Sequence, residues 1–332
     1  MRTGALWQSA SGLGEVRPCG KEPATYDNHA GGEVERVGLI GLGHMGSAMV
    51  ERLLHRGFAV YGYDNDPQHR PPTESPAFTR CDSANAVASE CSVVIVSVLT
   101  GEQLEDVVLG ADGLASAGRS DLLVIDTSTV DPADSERIAT ELEHHGSQLL
   151  RSPVSGGTPE ARAGQLLMLI SGDEASFERA RPVFEALGGK GFSYLGPGER
   201  SRYAKLGINI IVIGAMALLA EGLRLAEAGG MTRDEMADFI GASVGASPHI
   251  LTKLEKIRRS DYTATGSVSQ ARKDLTIVRA LARRHEVPTP LVDSIEALLI
   301  SAEEQGFASQ DLSFVVDLES DQGHGNPSTT NE

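Results

Sequence analysis

The order of apolar and polar residues divides the chain into two stretches of different character. In the first, short unbroken apolar runs recur: "RVGLIG" (36–41), "FAVYGYD" (58–64), "SVVIVSV" (92–98), "DLLVID" (121–126), "QLLRSPV" (148–154), "LLMLIS" (166–171) and "FSYL" (192–195). Between them, helical spacing of apolar positions appears at 44–56, 102–109, 132–145 and 174–187. A strand with one wet face alternates apolar and polar residues. These runs do not, and helices separate them, so they predict an α/β fold with a mostly parallel sheet covered on both faces. From about Ser201 the strand pattern stops, and helices are predicted at 201–228, 232–243, 248–258, 267–285 and 290–304. The expected organisation is a sheet domain over 35–198 and an all-α domain over 199–318, divided near 197–200, within "GPGER" (196–200). No internal repeat is visible.

Within the second stretch, "LGINIIVIGAMALLA" (206–220) is the longest apolar run, bracketed by Lys205 and Glu221. It is too short to cross a bilayer and reads as a helix buried on all sides within protein. One small domain cannot cover such a helix, so a homodimer or homotetramer burying 206–220 is predicted.

At the end of the first apolar run, Gly41, Gly43 and Gly46 form G-x-G-x-x-G between a strand and a helix, with Leu42, His44 and Met45 between the glycines. Alone the pattern is weak, since an ordinary glycine-rich turn looks the same. Its context adds to it, because Asp64 closes the second strand 23 residues after Gly41, where a carboxylate can take the ribose hydroxyls of an adenosine. Gly41 permits the tight turn, Gly43 lets backbone approach a pyrophosphate, and Gly46 lets the helix pack close. The helix N-terminus then offers unpaired N–H groups to the phosphates. A 2′-phosphate beside Asp64 would be repelled, and the nearest following arginine, Arg70, is six residues on, so NAD is favoured over NADP.

Composition narrows the partners. Of 332 residues about 40% are hydrophobic and 23% charged, ordinary for a soluble protein, and the formal charge of -17 argues against nucleic acid or an anionic membrane. Cys19, Cys81 and Cys91 have neither metal-ligand nor disulfide-framework spacing, and their sparse, odd count fits a reducing cytoplasm. Cys91 opens an apolar strand as buried filler. No His or Cys grouping suggests a metal. Residues 1–34, which lack a signal peptide's apolar core, and the tail 319–332 are expected to be disordered.

"GLIGLGHMGSAMVERLLHRGFAVYGYD" resembles the N-terminal signature of the β-hydroxyacid dehydrogenases, the 3-hydroxyisobutyrate dehydrogenase family. "DTSTVDP" (126–132), "SPVSGGTPEARAGQLLMLISG" (152–172), "AKLGIN" (204–209) and "ARKDLTIV" (271–278) match in order, so the resemblance covers 36 to about 316. It implies a Rossmann-like domain, an all-helical domain and an active site in the cleft between them. The implied activity is NAD(P)-linked oxidation of a small anionic β-hydroxyacid, or reduction of its aldehyde acid. By position, Thr129 would lie near the nicotinamide, Val98 and Leu99 would contact the cofactor, and Lys273 would reach it from the second domain. Ser155, Gly156 and Gly157 would hold the substrate, Lys205 would be catalytic, and Asn209 would be its helix neighbour.

The residue chemistry agrees. Removing a hydride from an alcohol carbon requires that the hydroxyl proton leave as well, so a base must sit at that oxygen. Lys205 can serve when neutral, and the apolar run from Leu206 suggests partial desolvation. The plainer alternative is a surface lysine at a helix start. Asn209, one turn on, makes either a site hydrogen bond or a structural one. "SPVSGGTPE" can offer backbone N–H groups to a carboxylate, although a plain turn uses similar residues. Asp131 and Pro132 look like a helix cap and first position.

Several positions depart from the family pattern. "GERSRYAK" replaces a usual glycine pair before the lysine helix, bringing Glu199, Arg200 and Ser201. Arg200 and Arg202 either bring positive charge to the cleft mouth or simply face solvent. Arg151-Ser152 replaces an acidic-then-small pair, Leu99 stands for a proline, and Ile208 replaces the first of two asparagines. Competing readings are an imine reductase-like NADPH enzyme and a catalytically silent cofactor-binding scaffold. Both relatives usually lack the lysine that this chain keeps.

Overall fold

The computed structural model describes residues 35–188 and 191–318. The ends expected to be disordered, and Cys19, lie outside the described residues.

The chain opens with β1 (Arg36–Ile40), α1 (His44–His55), β2 (Ala59–Tyr63), β3 (Phe78–Arg80), α2 (Ala84–Glu90), β4 (Val93–Val96), α3 (Gly101–Leu109), β5 (Leu123–Asp126), α4 (Pro132–His144) and β6 (Gln148–Arg151). The six strands form one parallel sheet in the order β3-β2-β1-β4-β5-β6. Successive side chains of a strand leave opposite faces, which accounts for the continuous apolar runs. Leu39, Ile95, Ile125 and Leu150 join a core with Met49 and Leu53 of α1, whereas Ile40, Val94, Val96 and Val124 join another with Val87, Leu104, Ile138 and Leu142. Cys91 is buried there as filler, and burial pushes its thiol up to about 12.

The run at 148–154 does not continue as one strand. It breaks at Ser152-Pro153, where proline can donate no ladder hydrogen bond, and its end becomes β7 (Val154–Ser155). After α5 (Thr158–Ala163), β8 (Leu167–Ile170), α6 (Glu174–Leu187) and β9 (Phe192–Tyr194) complete a separate sheet, with β7 antiparallel and β9 parallel to β8. The runs at 166–171 and 192–195 therefore lie outside the main sheet.

The remaining elements are helical: α7 (Arg200–Ala228), α8 (Arg233–Ala242), α9 (Pro248–Arg258), α10 (Val268–Arg284) and α11 (Pro290–Glu304), closed by a 3-10 turn at Leu312–Val316. Thr232, Ser247 and Ser267 cap α8, α9 and α10 by accepting backbone N–H groups. The described residues group into two compact units that divide after Ile208, within α7.

At 29 residues α7 exceeds the apolar run inside it, and by length and hydropathy it is long enough to cross a bilayer. It is not buried on all sides. Ile211, Leu218 and Leu225 are 72%, 71% and 78% exposed. They lie seven residues apart, so they share a face that the described residues do not cover.

Asp311 ties the helical unit together. Its buried carboxylate accepts from Lys253 Nζ at 2.6 Å, from the Thr265 N–H and hydroxyl at 2.9 Å each, and from the Ser313 N–H and hydroxyl at 3.0 and 2.7 Å. Burial works against the charge, but Lys253 and these donors together hold the carboxyl down to about 2, from 3.8. A carboxyl depressed by folding stabilises above its free value and loses that contribution as pH falls through its folded value. Denaturant stability is therefore expected to fall by on the order of 2 kcal/mol between about pH 4 and pH 2, with Asp311→Asn flattening that loss. Unchanged acid sensitivity in the variant would assign the loss elsewhere.

Candidate cofactor and catalytic site

The glycine turn stands at the carboxyl end of β1. Gly41 has φ of 90°, and a Cβ there would lie 2.1 Å from the Ser97 carbonyl oxygen. At Gly46 a Cβ would lie 1.7 Å from the Gly41 carbonyl oxygen, so α1 can start this close to β1 only with glycine. Gly43 is different. Its φ is -62°, and the nearest atom to a Cβ would be His69 Cε1 at 4.0 Å. The protein leaves this side open at the N-cap of a twelve-residue helix, which is the space that a pyrophosphate needs. Leu42 and Gly46 are buried, Met45 packs against the core, and His44 is exposed at the start of α1.

Asp64 follows β2 with its side chain largely buried. One carboxylate oxygen accepts from the Leu42 N–H at 2.6 Å and the other from the Asp66 N–H at 2.8 Å. The acid thus fixes the glycine turn from behind. His69 Nδ1 lies 3.2 Å from the same carboxylate, while Arg70 is turned to the Pro67 carbonyl. Arg80 of β3 donates to the carbonyls of Asp64, Asp66 and His69, holding that loop.

The carboxyl ends of β4, β5 and β6 carry the second part of the site. The Val98 N–H donates to the Ser128 hydroxyl at 3.0 Å, and the exposed Leu99 donates its N–H to Gln103. Ser128, Thr129, Val130, Pro153, Arg202, Lys205 and Leu206 line one recess. Thr129 and Lys205 both line it. Asp131 caps α4 by accepting the Ala133 N–H.

Arg202 overturns the expectation of a solvent-facing side chain: it is 1% exposed, whereas Arg200 is exposed. Its guanidinium pairs with Asp126, donates to the Ser128 carbonyl at 3.0 Å and reaches Glu199 at 3.0 Å. Glu199 also accepts from Arg151 Nε at 2.5 Å and from the Ser135 hydroxyl at 3.1 Å. Four buried charges alternate in sign, Arg151, Glu199, Arg202 and Asp126, and cancel. Breaking one such pair leaves an uncompensated charge and costs about 3–5 kcal/mol.

At the "SGG" turn, Ser155 ends β7, Gly156 has φ of 131°, and the Gly157 N–H donates to the Glu160 carboxylate at 2.8 Å. That N–H is already engaged by the chain's own acid. In the helical unit Asn209 is buried and donates to Asp274 Oδ2 at 2.7 Å, a side-chain partner rather than backbone. Lys273 lies 2.9 Å from Asp274 Oδ1, an ion pair by distance rather than an aligned hydrogen bond.

Sequence reasoning did not single out Asp126, His69, Arg80 or Asp274, and it noted Glu199 and Arg202 without their pairing. One signal was available: Asp126 and Arg151 both end apolar strands, and the sheet register pairs them.

A parallel sheet in this strand order, with a glycine turn after β1 and an acid after β2, defines a dinucleotide-binding protein of the Rossmann class. Residues 36–196 match the family model for the NAD binding domain of 6-phosphogluconate dehydrogenase, and 200–318 the one for the NAD-binding region of NADP-dependent 3-hydroxyisobutyrate dehydrogenase. L-threonate dehydrogenase of Cupriavidus necator is 31% identical over 283 residues, 85% of this chain and 95% of that one. 2-(Hydroxymethyl)glutarate dehydrogenase of Eubacterium barkeri is 28% identical, over 85% of this chain and 93% of its own. The solved 3-hydroxyisobutyrate dehydrogenase of Salmonella typhimurium superposes with a TM-score of 0.78 at 27% identity, covering 85% of this chain and 99% of its own. The chain belongs to the β-hydroxyacid dehydrogenase family, and is an NAD(P)-dependent dehydrogenase of the class acting on CH–OH groups.

The turn yields a paired expectation. Gly43→Ala meets nothing nearer than His69 Cε1 at 4.0 Å, so the thermal midpoint should hold while the NADH Kd, read by fluorescence titration, rises about tenfold or more. Gly46→Ala should instead lower the midpoint. Equal effects of both on stability would deny Gly43 its place under the pyrophosphate.

Proposed function

We propose that the protein oxidises a small β-hydroxyacid, or reduces the matching aldehyde acid, with Lys205 as the acid and base. The observation that carries this reading is the recess shared by Lys205 and Thr129 at the carboxyl edge of the sheet, where open α/β folds bind ligands. The glycine turn and Asp64 hold the dinucleotide: an open Gly43 fits the pyrophosphate, and the Asp64 carboxylate disfavours a 2′-phosphate. Bound NAD supplies the hydride acceptor. Lys205, neutral in the oxidation direction, takes the hydroxyl proton and returns it in the reverse one. Leu206 beside it is buried and lines the same recess.

Ser155 and Gly156 are proposed to meet the substrate carboxylate, and Asn209 to act beside Lys205 with Asp274 holding its amide. The named substrates of the relatives, L-threonate and 2-(hydroxymethyl)glutarate, combine a carboxylate with a nearby hydroxyl, which supports that substrate class. Lys205 also speaks against an imine reductase or silent scaffold. The free Cys81 and Cys91 support a cytoplasmic site of action.

Lys205→Ala should lose about 100-fold or more in kcat while NADH still binds. The assay is NAD(H) turnover over a panel of hydroxyacids and aldehyde acids. Undiminished turnover by the variant would remove the lysine from the mechanism.

The Ile211, Leu218 and Leu225 face is proposed to pair with the same face of a second copy, giving a homodimer or homotetramer. Sedimentation should find an oligomer that Leu218→Glu dissociates. A wild-type monomer at micromolar concentration would overturn the pairing.

A further inference from the structure

The buried charges around Arg202 connect parts of the site that the sequence keeps far apart. Arg202 precedes Lys205 by three residues on α7, a little less than one turn, so fixing its guanidinium fixes the helix segment that carries the amine. Each arm of the fork ends on a group of the site. One reaches the Ser128 carbonyl, the peptide oxygen immediately before Thr129. Another reaches Asp126, whose second oxygen accepts the Ser128 N–H at 3.0 Å. The Ser128 hydroxyl in turn holds the Val98 N–H. Lys205, Thr129 and Val98 therefore take their places from one planar cation, which a lysine could not replace because it lacks the fork.

The third arm needs an anion, and Glu199 supplies it. That carboxylate is itself held by Arg151 and the Ser135 hydroxyl. Two of the departures from the family pattern, at positions 151 and 199, are thus contact partners and amount to one change. An arginine buried at 151 would be uncompensated without Glu199. A glutamate at 199 without Arg151 would be shared by Arg202 alone and lose half its orientation.

We propose that Arg151 and Glu199 are positioning residues for Lys205: through Arg202 and Asp126 they hold the first turn of α7 against the Ser128-Thr129 loop. This rests on Lys205 being the acid and base. Glu199→Gln leaves two buried guanidiniums with one carboxylate, and Arg151→Met leaves one guanidinium between two carboxylates. The double variant restores neutrality, with Arg202 facing Asp126.

The experiment is a double-mutant cycle on the full-length protein. Either single variant is expected to lower kcat about tenfold or more, with the KM for NAD and the NADH Kd within about twofold of wild type. The double variant should recover most of kcat. Amide exchange across 199–206 should quicken in each single variant and slow again in the double. A purely structural role would lower the thermal midpoint and leave kcat per folded site and the exchange of this turn unchanged, which would overturn the proposal. If a single variant does not fold, Arg202→Lys decides, because it keeps the charge and removes the fork: kcat falls under the proposal and holds without it. Full activity in Lys205→Ala sinks the acid–base reading itself. Loss of activity there, with unchanged kcat in the chain variants, sinks only the positioning role.

Discussion

The approach of α1 to β1 constrains everything else in the nucleotide-binding unit. With no side chain at Gly46, the first turn of α1 rests against the Gly41 carbonyl, nearer than any Cβ would allow. That contact aims the helix N-terminus along the edge of the sheet, and Asp64 closes the arrangement by accepting the Leu42 N–H. Both contacts come from the chain itself. A pre-formed turn spends less of its binding energy on ordering loops.

A second constraint is electrostatic. The carboxyl edge of β5 and β6 would be hostile to buried ions, since each must leave water at a cost of several kcal/mol. The protein places four there, with every guanidinium between acids or beside carbonyls. Specific geometry is the return. Apolar replacements could fill the same volume, but they would not dictate where the Ser128-Thr129 loop stands relative to α7. Arg202 belongs both to this cluster and to the lining of the recess that Lys205 shares, so the charged groups form part of its wall.

Much of this was legible in the chain. Unbroken apolar runs gave the parallel strands, and the glycine spacing with Asp64 marked the dinucleotide turn, because each rests on local rules of periodicity and backbone freedom. What escaped was set by tertiary contact. The run at 148–154 looks like one strand, yet Pro153 divides it between two sheets. β3 and α2 are too short to show a period. Arg202 sits among polar neighbours and reads as surface, because its partners Asp126 and Glu199 are distant or ambiguous in sequence. The run at 206–220 is apolar on all sides, which signals a need for cover but not how much of that cover one chain provides.

The Gly157 N–H and the Glu160 carboxylate show how such a turn waits. An anion tethered three residues away already answers this donor, so under the proposed reading a substrate carboxylate at this turn would compete with a resident that never diffuses off. Such a resident would leave free acids lightly held at the turn, a condition that lets a product depart quickly.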